Sequence, residues 1–543
     1  MKNWYVMLIC CTCLCGMVQG QEKVWTKKNL PRDWHLRSFE KDRVYGAAVY
    51  DAYEYLKGRE PKRRVVVAVI DGGMDITHED LRESLWVNEG EIPGNGIDDD
   101  GNGYVDDVHG WNFLGTPDGG SVKTISAEAD RYYMYLRERF DGVDTSRLSK
   151  REKSLYHYYV NELPKVSELA DAYNIYMNVK TYSELMDGFD RRLKEMFPGV
   201  ELEKEHFVAL GEKLESGLEK RAFEYYLDRW KYTSRNNWEQ MLNLRHTLLK
   251  TFEGRYSAKL RAYEADGRKN VGDDLNDVKD RFYGNATMTP HDHGSHVAGI
   301  IGATRDNGVG VDGVADVRLM SLRVCADGGD EYDKDVASAI RYAVENGANI
   351  INISLGRSVS MHREWLDAAL RFAEKRGVLV VHAAGNNGRC TDHAYDYPTR
   401  YSSKGKAVKN LINVGNSYAD GMPVMSSNFG KDEVDLFAQG GIIYSTITGN
   451  GYKDFTGTSM AAPVVAGVAA LIWNYFPGLT VKELKGVLLD GVTSRRGVEV
   501  SRPAGIRVLG KEKVYFEDLC ASGGILNALE SVKLAEKLCE NKK

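Results

Sequence analysis

Short, uninterrupted apolar runs alternate with amphipathic stretches along much of this chain. Apolar runs without polar interruption predict strands that are buried on both faces, as in parallel sheets. Such runs occupy residues 65–70, 318–324, 350–356 and 378–387. Residues 335–346 and 364–376 instead repeat their apolar positions with the period of an amphipathic helix, and a glycine follows each. The alternation predicts βαβ units and an α/β fold with a mostly parallel central sheet.

Residues 120–270 follow a different pattern and carry no chemical motif. They are rich in Tyr, Lys, Glu, Arg and Leu. We predict three to five amphipathic helices here, an all-α segment inserted between residues 21–119 and 271–543 of the α/β domain. Its tyrosines are expected to pack between helices rather than to bind a ligand. The helical spacing is clearest at Leu163, Val166, Leu169, Tyr173, Tyr176 and Val179.

The amino end has the pattern of a secretory signal peptide over residues 1–20. Lys2 precedes an apolar stretch from residue 4 to residue 18, which is too short and too close to the terminus for a membrane span. No later apolar run is long enough either, so we predict an exported mature chain without a transmembrane span, in the periplasm, at the cell surface or secreted. A lipid anchor is the alternative, but the residues before Cys13 and Cys15 fit its small-residue signal poorly.

Composition and net charge limit the classes of partner that the sequence indicates. The 543 residues, 43% of them hydrophobic, can bury a large core. A formal net charge of −6 gives no indication of nucleic-acid binding. Four cysteines follow the signal segment without the spacing of a metal site, and in an exported protein they allow disulfides or free thiols. These cysteines are Cys325, Cys390, Cys520 and Cys539.

An acidic loop over residues 95–107 predicts a structural Ca²⁺ site. Side-chain oxygens alternate and a glycine follows, as in the first half of an EF-hand loop. His109 stands where the closing glutamate belongs, so a later aspartate is expected to close the site. Carboxylates this close together repel one another unless a cation lies between them. The alternative to a Ca²⁺ site is an acidic turn exposed to solvent. The predicted ligands are Asp98, Asp100, Asn102, the Tyr104 carbonyl, Asp106 and Asp107.

Polar residues of complementary chemistry stand at the ends of the predicted elements. Asp71 ends the first apolar run, Asn386 ends the last, His293 opens a helix of small residues, and Ser459 opens an apolar helix. An imidazole can take the proton of a serine hydroxyl, a carboxylate can fix the imidazole, and amide donors can stabilise an oxyanion. Pro463 is expected in the first turn of the Ser459 helix, where its missing N–H costs nothing.

Each of these residues has a structural explanation when taken alone. Ser459 could be a helix cap and Asp71 part of a strand-end turn. His293 and His296 could bind a metal, but they lack the glutamate and the spacing of a zinc helix, so we favour one exposed base and one buried structural histidine. Only the combination points to nucleophilic catalysis.

The motifs around these residues resemble those of the subtilisin-like serine proteases, the subtilases. They are Val67–Gly73, His293–Gly299 and Gly457–Pro463, in the family's order. The resemblance implies a three-layer subtilisin-like fold and a serine endopeptidase acting on polypeptides, with Asp71, His293 and Ser459 as its triad and Asn386 in the oxyanion hole. It also implies two substrate-binding segments. These are Ser354, Leu355 and Gly356, which would pair with extended substrate backbone, and Ala383, Ala384 and Gly385, which would wall the pocket for the side chain before the cut bond.

Two departures from the family pattern leave alternatives open. Gly72 stands where the family usually has a small hydroxyl residue. The helical segment 120–270 has no counterpart in the resemblance, and it could be a lid, a docking surface for a partner or a replacement for a pro-segment. A catalytically silent scaffold and an ester- or acyl-transferring enzyme are the alternative functions.

Overall fold

The computed structural model describes residues 29–233, 236–505 and 512–542. The predicted signal peptide lies outside these residues. The described strands are, in chain order, β1 Val65–Asp71, β2 Gly110–Asn112, β3 Val317–Arg323, β4 Ile350–Ile353, β5 Leu379–Ala383, β6 Leu411–Ser417, β7 Leu436–Gln439, β8 Ile443–Ile447, β9 Gly451–Phe455, β10 Thr493–Ser494, β11 Glu499–Ser501, β12 Lys513–Tyr515 and β13 Gly524–Ile525.

Nine of these described strands form one twisted layer in the order β10-β13-β7-β6-β5-β4-β1-β3-β2. Every neighbouring pair is parallel except the edge pair β10 and β13. The predicted mostly parallel sheet is therefore confirmed. Strand β1, which lies between β4 and β3, is nearly all buried, as an uninterrupted Val/Ile run requires.

Helices cover both faces of the sheet. The α-helices of the described residues are α1 Phe39–Asp42, α2 Val49–Leu56, α3 Glu128–Phe140, α4 Lys150–His157, α5 Glu168–Met196, α6 Lys204–Gly211, α7 Leu218–Arg229, α8 Trp238–Glu264, α9 Asp292–Gly302, α10 Asp333–Glu345, α11 Arg363–Lys375, α12 Thr458–Tyr475, α13 Val481–Asp490 and α14 Ala528–Glu540. One face of β1 packs with α2, α9, α12, α13 and α14, and the other packs with α10 and α11. The three-layer α/β fold is therefore confirmed.

Helix α12 is the central helix of this core. It is long and apolar enough to cross a membrane, but 94% of it is buried inside the protein, against β4 to β7. The prediction that Pro463 lies in its first turn is wrong, because the helix begins at Thr458. Proline cannot donate to the carbonyl four residues earlier, that of Ser459. The hydroxyl of Ser354 donates to this carbonyl instead, at 2.9 Å, and so satisfies the acceptor.

Six α-helices, α3 to α8, lie in the described part of residues 120–270, one more than the upper predicted number. They bury two small cores of their own, one of which includes Val359 from the loop after β4. The predicted helical repeat is only partly correct. Leu163 and Val166 precede α5, and Val166 is exposed.

A buried ionic cluster joins the end of the helical segment to α10. The fully buried Arg268 donates from Nε and one terminal nitrogen to the two oxygens of Asp335, at 2.8 and 2.7 Å. Its other terminal nitrogen pairs with Asp273 at 2.5 Å. Tyr283 also donates to Asp335, at 2.7 Å. Lys334 also pairs with Asp273, at 2.5 Å, so removing Arg268 would leave only Asp335 charged and buried without a cation.

We predict that Arg268→Ala lowers the free energy of unfolding by about 3–5 kcal/mol, because it leaves the buried carboxylate of Asp335 without a cation, whereas Asp273 keeps its ion pair with Lys334. The matched control is Arg281→Ala, which breaks a partly exposed pair with Glu345 and should cost at most about 1 kcal/mol. Both values come from guanidinium unfolding followed by circular dichroism. Equal losses in the two variants would contradict the prediction.

Candidate active site

A carboxylate and an imidazole meet at the carboxyl end of β1. Asp71 is the last residue of β1 and is 1% exposed, and His293 is the second residue of α9. The imidazole Nδ1 lies 2.9 and 3.0 Å from the two carboxylate oxygens. Gly294 permits this approach, since a Cβ there would come 2.0 Å from the Gly73 carbonyl oxygen. Asp71 thereby fixes the orientation of the ring and leaves Nε2 as its free nitrogen.

The pKa values of the two histidines of α9 are shifted in opposite directions. Burial lowers the pKa of His293, but the charge of Asp71 and its hydrogen bond outweigh burial, so the pKa ends above its ordinary value of 6.5. His296 has no such partner, and burial lowers its pKa to about 4. Its Nε2 lies within 3.0 Å of the carbonyls of Ile443 and Lys453. The structure therefore assigns one partly exposed and one buried histidine to this helix.

Two hydrogen bonds join Ser459 and Ser354. The Ser459 hydroxyl donates to the Ser354 carbonyl at 3.0 Å, and the Ser354 hydroxyl donates to the Ser459 carbonyl at 2.9 Å. Asn352 donates to the Ser354 hydroxyl at 2.9 Å and holds it in this orientation. Among the described hydrogen bonds there is none between Ser459 and His293. Ser459 lies at the start of α12 and is half-buried. The inserted helices of residues 120–270 therefore leave it accessible.

The amide of Asn386 is oriented by Thr458. The Thr458 N–H and hydroxyl both donate to the amide oxygen, at 2.9 and 3.2 Å. The amide nitrogen is therefore left to face elsewhere. A Cβ at Gly457 would lie 3.5 Å from this nitrogen and 3.7 Å from the backbone nitrogen of Ser459. The two nitrogens therefore lie close to one point beside Gly457, where glycine has no side chain.

A cleft of about 310 Å³ lies beside these groups. The predicted substrate-binding residues Ser354, Leu355, Gly356, Ala383 and Gly385 line it, together with Asn386 and Ser459. Ala384 faces a neighbouring small cavity instead. The two predicted segments follow β4 and β5, which are adjacent in the sheet, so their loops meet at one edge.

Gly72 has a local cause in this structure. A Cβ there would come 2.7 Å from Nδ1 of His291, whose ring occupies the space of a side chain. A small hydroxyl residue at this position would clash with that ring. The departure from the family pattern is therefore matched by a second residue, which the sequence did not single out.

The acidic loop brings together only part of the predicted ligand set. Glu91, Asp100 and Asp107 offer carboxylate oxygens within 4.8 Å of one another. The amide nitrogens of Asn88 and Asn102 bridge Asp100 and Asp107. Three carboxylates this close form an oxygen-rich set of the kind that Ca²⁺ prefers.

The other predicted ligands have different partners. Asp98 accepts the backbone N–H groups of Asn102 and Gly103 at 3.1 and 2.8 Å. Asp106 accepts those of three residues over 94–96, at 2.7 to 3.1 Å. The ring of Tyr104 is buried in the core beside α10, whereas the prediction for Tyr104 concerned its carbonyl, which stays a prediction. Sequence reasoning missed Glu91 because it precedes the first predicted ligand, Asp98, by seven residues, and only folding brings it to Asp100.

The four cysteines of the described residues carry free thiols. Cys520 is buried, and Cys325, Cys390 and Cys539 are half-buried. The sequence left disulfides and free thiols as alternatives, and the structure has free thiols at these four cysteines. Burial raises the pKa of Cys325, Cys390 and Cys520, so these thiols are protonated at neutral pH.

Comparisons with known proteins agree with these motifs. The model of the Subtilase family matches residues 62–506. A thermophilic serine proteinase of Bacillus sp. (strain AK1) is 41% identical over 186 residues, which are 34% of this chain and 43% of that protein. Subtilisin DY of Bacillus licheniformis is 36% identical over 204 residues, 37% of this chain and 70% of that protein.

One solved structure, of a cold adapted subtilisin-like serine proteinase, is 29% identical and covers 44% of this chain and 75% of its own, with a TM-score of 0.34. The chain spans about half the length of the first curated relatives that it matches.

We predict that Asp71→Asn lowers the pKa of His293 from above 6.5 to below it, because burial remains and the charge that opposed it is gone. The pKa is read from the ring-proton NMR signal that disappears in His293→Gln. His296, with its pKa of about 4, is the internal control and should not move. An unchanged His293 titration would show that Asp71 does not stabilise the imidazolium.

Proposed function

The chain belongs to the subtilase family, and on this premise we propose that it is an exported serine endopeptidase that hydrolyses peptide bonds. The observation that carries the proposal is the buried carboxylate–imidazole pair of Asp71 and His293 at the same sheet edge as an accessible serine. The carboxylate occupies Nδ1 of the ring, which leaves Nε2 to accept a proton. This is the arrangement that activates a hydroxyl.

In the proposed reaction, Ser459 is the nucleophile and His293 the general base. The hydroxyl leaves its bond to the Ser354 carbonyl, transfers its proton to Nε2 of His293, and attacks the substrate carbonyl carbon. Asp71 stabilises the imidazolium that forms, because its charge already raises the pKa of the ring. The imidazolium then returns the proton to the leaving amine, and water repeats the sequence on the acyl-enzyme.

The oxyanion of the tetrahedral intermediate is bound by the Asn386 amide and the backbone N–H of Ser459. This assignment is supported by the bonds from Thr458, which consume the amide oxygen and leave the nitrogen as donor. The helix α12 adds the positive end of its dipole at Ser459. Residues 354–356 bind extended substrate backbone by strand pairing, and residues 383–385 wall the pocket for the side chain before the cut bond.

In this proposal, activity depends on the protonation state of His293. The base must be neutral, and its pKa lies above 6.5, so kcat/KM falls as the pH drops through that raised value. An ester- or acyl-transferring enzyme would share this profile but would favour an acceptor other than water. A silent scaffold would have no profile at all.

We predict that an organofluorophosphonate labels the protein at Ser459, that Ser459→Ala abolishes labelling, and that peptide hydrolysis falls by at least about 10³-fold. Labelling requires an activated serine and no particular substrate. Ser146→Ala, at an exposed serine of the helical segment, is the control and should label normally. Mass spectrometry identifies the modified residue. A folded protein that stays unlabelled would exclude the enzyme.

We further propose that Glu91, Asp100 and Asp107 hold a structural Ca²⁺ ion. The support is their mutual approach within 4.8 Å. Asp107 is fully buried, and a cation would offset the repulsion of its neighbours. The ion takes no part in the chemistry. Its role is to hold the acidic loop against α10, since Tyr342 of that helix donates to Asp107.

We predict that a chelator lowers the melting temperature of the protein, that added Ca²⁺ restores it, and that Asp100→Asn removes the response. A bound ligand raises the stability of the folded state by mass action. The difference in melting temperature between the protein with Ca²⁺ and the protein with chelator should therefore grow with the Ca²⁺ concentration. The matched control is Asp99→Asn, since Asp99 neighbours the cluster but bonds to Ile92 and Asn95 instead. Identical melting curves with and without chelator would reject the site.

A further inference from the structure

A buried carboxylate that no catalytic step uses lines the cleft beside Ser459. Asp396 is 7% exposed. Its Oδ2 accepts from Asn428 at 3.2 Å and from Arg389 at 3.3 Å. Its Oδ1 is buried and has no hydrogen-bond partner within the part of the chain that the structure describes. A buried carboxylate oxygen left without a donor costs free energy, so this atom is a strong acceptor awaiting one.

Two glycines of the cleft wall lie directly against that carboxylate. A Cβ at Gly356 would come 2.6 Å from Oδ1 of Asp396, and a Cβ at Gly385 would come 2.6 Å from Oδ2. Gly385 also has a φ of +99°, which other residues rarely adopt. The carboxylate therefore lies between the two segments that we assign to substrate binding. Any larger residue at either glycine would cover it.

The rest of the cleft has the same sign of charge. Asp330 and Glu331 line it too, and its described lining contains no lysine, arginine or histidine. The neighbouring arginines lie behind the wall and are already paired. Arg389 bonds to Asp396, and Arg357 is shared between Glu331 and Asp333. A low-dielectric cleft with this excess of carboxylates attracts a cation.

We infer that this cleft selects substrates with lysine or arginine immediately before the cut bond, and that Asp396 is the residue that determines this specificity. The inference rests on the proposed endopeptidase function and names its substrate class. The apolar stem of such a side chain would pack on Leu355 and Ala383 while its charged end meets Oδ1 of Asp396.

The protonation state of Asp396 decides the conditions of a test. Burial raises its pKa to about 7, although Arg389 opposes this shift. At pH 8 the carboxylate is the main form, and a bound cation favours it further. At pH 8 the cleft should therefore discriminate between a charged side chain and a neutral one of the same shape.

The test compares peptides that differ only in the residue before the cut bond: lysine, arginine, and norleucine, which has the stem of lysine without its charge. At pH 8, kcat/KM of the full chain should be at least about tenfold higher for lysine or arginine than for norleucine. In Asp396→Asn this ratio should fall about 10- to 100-fold, while norleucine cleavage changes little. Asp392→Asn is the control, since Asp392 accepts two backbone N–H groups outside the cleft.

Each outcome is decisive for one claim. A wild-type enzyme that prefers norleucine overturns the inference, even if Asp396→Asn fails to fold. An unchanged preference in a folded Asp396→Asn overturns the role of Asp396. Fluorophosphonate labelling, which needs no residue before a cut bond, is measured in the same samples. Loss of labelling in the wild type would defeat the proposed function itself, whereas labelling with an apolar preference would defeat only the specificity.

Discussion

Parallel pairing of β1 with β4 is the constraint on which the candidate site depends. In this register Ile70 lies opposite Ile353. The next residues, Asp71 at the end of β1 and Ser354 directly after β4, therefore lie beside each other. Asp71 orients the imidazole of His293, and Ser354 holds Ser459 through two hydrogen bonds. Two strands far apart in sequence thus place both the base and the hydroxyl at one sheet edge.

Helix α9 shows how one partner changes the chemistry of a residue type. His293 and His296 are one turn apart, and burial disfavours the charged form of both rings. The carboxylate of Asp71 reverses the effect for His293 only. His296 stays neutral and lies against two backbone carbonyls of the β8–β9 hairpin. The same helix therefore carries a titratable group at its first turn and an inert packing residue at its second.

The sequence predicted what depends on local pattern. The β-branched run of β1 predicted a strand buried on both faces, and the motif residues Asp71, His293, Asn386 and Ser459 lie at element ends of the sheet. Long-range contacts escaped prediction. Glu91 reaches Asp100 only after folding, and nothing around Asp396 distinguishes it from a surface aspartate. The error at Pro463 has the same origin, since the donor that replaces its N–H comes from Ser354, a hundred residues away in sequence.

Helix α3 attaches the helical segment to the cleft. The backbone N–H of Glu128 donates to Asp330 at 3.0 Å, and Arg131 donates to the carbonyls of Asp330 and Glu331 at 3.0 and 3.2 Å. Both acidic residues line the cleft. The first turn of α3 thus braces the cleft wall through three hydrogen bonds, none of which involves Asp71 or His293. The helical segment is therefore a structural support of the cleft as well as an insertion beside it.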